Sequence, residues 1–178
     1  ASEITELYNQ GQTKINTSQA GKLTNGLVGH WTFDGQDTNW GANTTDDVSP
    51  NSNIGTMTNM SITTSPVPGV AGQALNFDGT NDYVNAGNGS NLNLTGSMTI
   101  SAWVYSKSSG SEQQQIVSKI GGPGCGSQTP YDFSITDTNK LRYYEDNGND
   151  CGNTDSINSI SLNQWQHVVF IRNASNQI

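Results

Sequence analysis

The stretch Met98-Thr99-Ile100-Ser101-Ala102-Trp103-Val104-Tyr105 alternates apolar and small or polar side chains with the period of a β-strand. Successive strand side chains point to opposite faces, so Met98, Ile100, Ala102 and Val104 form one apolar face. Trp103 and Tyr105 fall on the other face, which predicts a strand covered on both sides. Working outward, further strands are expected at Leu27 to Phe33, Ala74 to Phe77, Tyr83 to Ala86, Gln115 to Ile120, Tyr131 to Thr136, Lys140 to Glu145 and Gln166 to Arg172, each bounded by Gly, Asn, Asp, Pro or Ser. Short strands at this spacing, with no helical period after Tyr8, predict an all-β sandwich or barrel.

Composition agrees with that reading. Asn, Ser, Thr and Gly supply 81 of the 178 residues, which implies many turns between short strands. Seven basic residues against fifteen acidic ones give a net charge of −8, which argues against a phosphate-binding surface, so no nucleic-acid partner is expected. No run of 18 apolar residues exists, so membrane insertion by a helix is not expected, and the first residues lack the basic and apolar blocks of a signal peptide. Two cysteines outside any C-x-x-C pattern and two histidines, His30 and His167, argue against a zinc site. So few Lys and Arg in so polar a chain suit an extracellular or cell-surface location.

Ser2 to Tyr8 reads as a short helix: Ser2 can cap it, Glu3 and Glu6 suit its N-terminal dipole, and Ile4, Leu7 and Tyr8 share a face. Residues 9–25 have the composition of a polar linker, and a new module starts at Gly26. Cys125 and Cys151 lie symmetrically about Thr138, inside the turn between two predicted strands. Paired positions of a hairpin share a constant sum, so an extended hairpin would set the two cysteines opposite each other, as a disulfide needs. The alternative is two unrelated thiols in Gly-rich loops; a bridge would place the chain in an oxidising compartment.

The blocks Gly-Leu-Val-Gly-His-Trp-Thr-Phe-Asp (26–34), Asp-Val-Ser-Pro-Asn-Ser-Asn-Ile-Gly (47–55), Gly-Gln-Ala-Leu-Asn-Phe-Asp-Gly (72–79) and Asp-Tyr-Val (82–84) occur in an order that resembles the laminin-G-like jelly-roll domain of the concanavalin-A-like lectin and glucanase superfamily. Ser97 to Tyr105, Ile116 to Lys119, Leu141 to Tyr144 and Leu162 to Arg172 continue the pattern. The resemblance implies a two-sheet antiparallel jelly roll. It also likens residues 1–8 to the closing turn of a preceding repeat and implies further strands beyond Ile178, so that residues 26–178 would be a C-terminally incomplete domain in a tandem array.

Asp34, Asp46, Asp47, Asn51 and Asn53 could present oxygens to a hard cation. The resemblance implies one structural Ca2+ near this loop, with Asp34, Asp47, Asn51 and Asn53 as its ligands here. The competing reading is that Asp and Asn fill turns by bonding their own backbone. Trp40, in a polar loop, could stack on a sugar ring or plug the edge of the sandwich. Tyr143 and Tyr144 alternate, so at least one is expected to face solvent or a ligand groove, while Trp31, Trp103 and Trp165 are expected in the core. Glycosidase chemistry needs two cooperating carboxyl groups. Glu145 and Asp146 are adjacent and point to opposite faces of a strand, and no other catalytic motif is present, so no enzyme is expected. His30 and His167 read as strand residues beside Trp31 and Trp165.

The expected function is a non-catalytic binding or adhesion module. Its partners would be a glycan or surface glycoconjugate and neighbouring repeats of the same polypeptide. The alternatives are a spacer repeat with no specific ligand and an accessory domain of a glycoside hydrolase.

Overall fold

The computed structural model describes residues 25–108, 110, 113–119, 131–146 and 151–173. It is an all-β, antiparallel jelly-roll sandwich with strands β1 (Thr38–Asn39), β2 (Thr44–Thr45), β3 (Gly55–Thr58), β4 (Pro66–Pro68), β5 (Gln73–Leu75), β6 (Tyr83–Asn85), β7 (Met98–Tyr105), β8 (Gln114–Lys119), β9 (Tyr131–Ile135), β10 (Lys140–Asp146), β11 (Cys151–Ser159) and β12 (Trp165–Arg172). The strand orders are β1-β2-β3-β6, β11-β10-β9-β8, β12-β7 and β4-β5. No helix among the described residues is long and apolar enough to cross a membrane.

Two of these sheets enclose the core. β7 and β12 pair over eight positions, from Trp165 opposite Tyr105 to Arg172 opposite Met98. The register sets Met98, Val168 and Phe170 on one face, where they are buried with Tyr131, Phe133 and Tyr143 of β9 and β10. Phe170 stacks on Tyr143 with ring centroids 3.8 Å apart and an interplanar angle of 13°, and its ring lies 6.0 Å from Phe133. Leu94, Ile100, Ala102, Val104, Ile116 and Leu141 close around this cluster. Stacked rings of this kind add to the hydrophobic gain of burying their area, and they lock the two layers in register.

The turn Asp137-Thr138-Asn139 joins β9 to β10 as the residue pattern predicts. Thr136 donates its N–H to Lys140 O at 2.8 Å, and Asn139 takes a positive φ of 59°, the left-handed end of a three-residue hairpin loop. Leu141 pairs with Ile135 and Tyr144 with Asp132, the register expected of a hairpin centred on Thr138. The extended hairpin, however, is not what forms. The chain turns back after Asp146, and Cys151 begins the separate strand β11, its backbone opposite Asp146. Cys125 and its pairing lie outside the described residues, as do the expected helix Ser2 to Tyr8 and residues 9–24 of the linker.

Leu27 to Phe33 corrects another expectation, because no strand ladder forms there. Phe33 has a φ of 59°, which breaks the extended path, and side chains replace the ladder. Asn51 donates Nδ2–H to Leu27 O and Val28 O, Asn53 donates Nδ2–H to Val28 O, and Gln73 donates Nε2–H to Phe33 O. Backbone groups must be paired by something, and a short Asn-rich loop supplies the partners here.

Candidate functional site

The eight-pair register between β7 and β12 puts Trp103, Tyr105, Trp165 and His167 together on the outer face of the ribbon, away from the core. Trp103 is 54% exposed and Tyr105 40% exposed, so the expectation of a strand covered on both sides, with Trp103 in the core, does not hold. Each aromatic has a cross-strand ring partner. Trp103 lies 5.2 Å from His167, tilted by 41°, and Tyr105 lies 5.6 Å from Trp165 in an edge-on arrangement of 68°. His167 is exposed and Trp165 half-buried. Val169 and Ile171, both exposed, continue the face along β12. Cross-strand pairs hold each other's rotamers, so the rings form a fixed surface rather than four independent side chains.

The other anticipated ligand residues are placed differently. Tyr143 is 2% exposed, stacked under Phe170, and its hydroxyl donates to Glu145 Oε2 at 2.9 Å. It is a core residue closed to a solvent-borne ligand. Burial, with the hydrogen bond to Glu145, pushes its hydroxyl far above the ordinary phenol range, so it stays protonated. Tyr144 is half-buried on the opposite face of β10, and Trp40 is half-buried in the loop between β1 and β2. Trp31 is half-buried, its Nε1–H donating to Asn53 O at 2.8 Å, and its ring folds over Gly29, where a Cβ would collide with it. Glu145 accepts from Arg172 at 2.8 Å, a partner that the strand pattern did not reveal.

The residues named for calcium divide into two groups. Asp47 is 7% exposed, and four N–H groups fill its two oxygens: His30 N at 2.8 Å and Ser49 N at 2.9 Å on Oδ1, Asn53 N and Asn53 Nδ2 at 2.9 Å each on Oδ2. Burial works to raise its pKa, but the hydrogen bonds from His30, Asn53 and Ser49 outweigh it and hold the carboxyl below its ordinary value. Asn51 and Asn53 direct their NH2 groups at backbone carbonyls and act as donors. Asp34 turns elsewhere, accepting from Gly35 N at 2.7 Å and packing on Gly72, whose φ of +61° and bare Cα leave room for it. Calcium requires oxygens free to face the ion. In this arrangement the donor set does not fit it, and no group of three or more His, Cys, Asp or Glu gathers among the described residues.

The outer face of β9 carries a buried carboxylate that the sequence did not flag. Asp132 is 2% exposed, and neither oxygen has a hydrogen-bond partner among the described residues. Burial raises its pKa above the ordinary carboxyl value, and the polar side chains of Ser118, Ser134 and Gln115 nearby offset only part of that. The folded state therefore favours the neutral form, and this group costs stability as pH rises from 3.8 through the raised folded value. Asp132→Asn removes the charge while keeping the shape and the polar atoms of the side chain, so it is expected to stabilise the domain near neutral pH, with the gain vanishing in acid. Thermal melts of both proteins across pH check this; a variant no more stable than the parent at pH 7 would refute it.

Residues 78–178 match the family model for laminin-G-like domains described as the concanavalin A-like lectin/glucanases superfamily. That span contains β6 to β12, hence the whole aromatic face and most of the core around it, while the blocks at residues 26–34 and 47–55 lie before it. No curated protein and no solved structure matches the chain. Since the matched span is more than half of the 178 residues and carries the two sheets that enclose the core, the chain belongs to the concanavalin A-like lectin/glucanases superfamily, in its laminin-G-like family.

Proposed function

We propose that this is a carbohydrate-binding module, non-enzymatic, of a secreted or surface-attached protein, and that the outer face of β7 and β12 is its binding surface. The observation that carries the proposal is the paired set of rings Trp103–His167 and Tyr105–Trp165 on a rigid ribbon. An indole or phenol ring has a negative face, and the C–H groups on one side of a pyranose are its natural complement. Isolated exposed aromatics need no explanation, but four rings gathered on one exposed sheet face do. Laminin-G-like domains are generally binding rather than catalytic modules, and Glu145, the carboxylate nearest to a glycosidase candidate, is tied to Arg172 and Tyr143.

A glycan array probed with the folded protein tests the proposal. Binding to at least one glycan class is expected, weakened about tenfold by Trp103→Ala, since truncating a central aromatic anchor typically costs more than about 1 kcal/mol. Retention of full affinity in both Trp103→Ala and Tyr105→Ala would remove the face from the binding site, and the absence of binding to any glycan would favour a spacer role.

A further inference from the structure

We infer that the glycan this face takes is an uncharged pyranose chain and not an anionic one; the inference rests on the carbohydrate reading above and adds the chemical class of the ligand. β7 and β12 carry one Lys or Arg between them, Arg172, and it is turned away from the rings. Its side chain is 4% exposed and donates to Leu94 O, Gly96 O, Tyr143 Oη and Glu145 Oε2, each at 2.8 Å. The remaining cations of the described residues that make side-chain hydrogen bonds are held elsewhere: Lys107 by Asn76, Lys119 by Asn88 at 2.5 Å and Arg142 by Asp155 at 2.6 Å. An anionic sugar is recognised by bidentate or clustered cations placed at the site. Among the described residues no Lys or Arg of β7 or β12 is turned to the ring face, and a net charge of −8 adds a repulsive field that salt only partly screens.

The spacing of the rings adds a second constraint. The row Tyr105–Trp165 and the row Trp103–His167 are two residues apart along each strand, a separation of roughly 7 Å from the strand rise. Two rows at that interval offer stacking surface to consecutive sugars of a linear chain lying along the ribbon, with Val169 and Ile171 extending the apolar track beyond them. An uncharged chain can lay the C–H face of its sugars on the rings while its equatorial hydroxyls stay hydrated at the edges. A sulfated or carboxylated one would leave charges desolvated without partners, which is costly.

Affinity electrophoresis of the full chain through gels containing soluble β-1,4-glucan, β-1,3-glucan, xylan or mannan, and separately heparin or polysialic acid, tests this at low and at physiological salt. Retardation by at least one neutral polysaccharide is expected, unaffected by salt, and reduced tenfold or more in Trp103→Ala and in Tyr105→Ala, both checked for unchanged far-ultraviolet circular dichroism. No retardation by the anionic chains is expected even at low salt. Retardation by heparin or polysialic acid that is lost in Trp103→Ala would overturn the charge inference while leaving the face as a glycan site. Retardation by neither class would overturn the carbohydrate reading itself, and reversible self-association abolished by Trp103→Ala would then assign the face to a second copy of the chain.

Discussion

Replacing Asp47 by alanine is expected to destabilise the domain by about 3 kcal/mol, because one buried and three partly buried N–H donors lose their acceptor at once and an orphaned group costs roughly 1–3 kcal/mol when fully buried. His30, Ser49 and Asn53 donate their backbone N–H groups to this one carboxylate, and Asn53 adds its side-chain amide. The His30 bond joins the segment before β1 to the loop before β3, beside the backbone bond from Val48 N–H to His30 O, while the Ser49 and Asn53 bonds shape the loop itself. Partial hydration of the vacated site keeps the loss below the full sum. In a chain of this size the fall in melting temperature should be about 6–12 °C. Asp47→Asn, which retains one acceptor oxygen, should fall between.

The pH dependence has a defined sign. Asp47 is held below its ordinary value of 3.8, so its contribution is complete above that value and is lost as pH falls through the lower folded value. Acid melts of the parent and of Asp47→Ala should therefore converge at low pH. Because the carboxylate is already filled by N–H donors, adding calcium or a chelator should leave the melting temperature of the parent unchanged. A melt for Asp47→Ala within about 1 kcal/mol of the parent near neutral pH, against the several kcal/mol above, would show that the loop does not depend on this hub, and a large upward shift with calcium would show that the loop rearranges to take the ion.

Arg172→Met is expected to cost about 3 kcal/mol, the low end of the range for breaking a buried ion pair, because Glu145, left without its partner, is 21% exposed and keeps some hydration. The guanidinium at the end of β12 holds the two carbonyls of the segment before β7, Leu94 O and Gly96 O, and reaches across the sandwich to Glu145 and Tyr143 on β10. One side chain thus ties three parts of the chain, beside the Tyr143–Phe170 stack. The cost should be smaller when Glu145→Gln is made in the same chain, since no half-buried charge is then stranded. A double-mutant cycle measured by urea unfolding gives the coupling directly. Additive effects of the two substitutions would mean that the ion pair contributes nothing beyond packing.

Much of the fold can be read from alternation. The bounds of Met98–Tyr105 follow from it without adjustment, and those of β6, β8, β9, β10 and β12 to within a residue or so, because half-buried strands must alternate to keep one face in the core. The strand β11 carries no such pattern: Cys-Gly-Asn-Thr-Asp-Ser-Ile-Asn-Ser is an edge strand, paired to β10 alone and bulged where its register shifts between Lys140 and Arg142. Such a strand is held by backbone hydrogen bonds, which leave little trace in side-chain type. β4 is hidden by Pro66 and Pro68, tolerated only because this ribbon has two strands and a free edge. Leu27 to Phe33 has the alternation and lacks the ladder, since nothing in the local pattern announces that Asn51, Asn53 and Gln73 will bond its carbonyls.

The candidate site divides along the same line. The sequence by itself determined which side chains share a face: Trp103 with Tyr105, and Tyr143 opposite Tyr144, are consequences of a period of two. It also determined the superfamily, through blocks of residues in a characteristic order that the match over residues 78–178 shares from Asp78 onward. Only the tertiary structure decided which faces are covered. Tyr143 is closed off by Phe170 arriving from β12, and Trp103 is left open because no described element packs outside β7. The role of Asp47 was decided in the same way, since whether a carboxylate holds a cation or a set of amides depends on which groups distant segments bring to it. Alternation is a local property of the chain, whereas burial and hydrogen-bond partnership are set by segments tens of residues away, and that difference in range separates what could be read from what had to be folded.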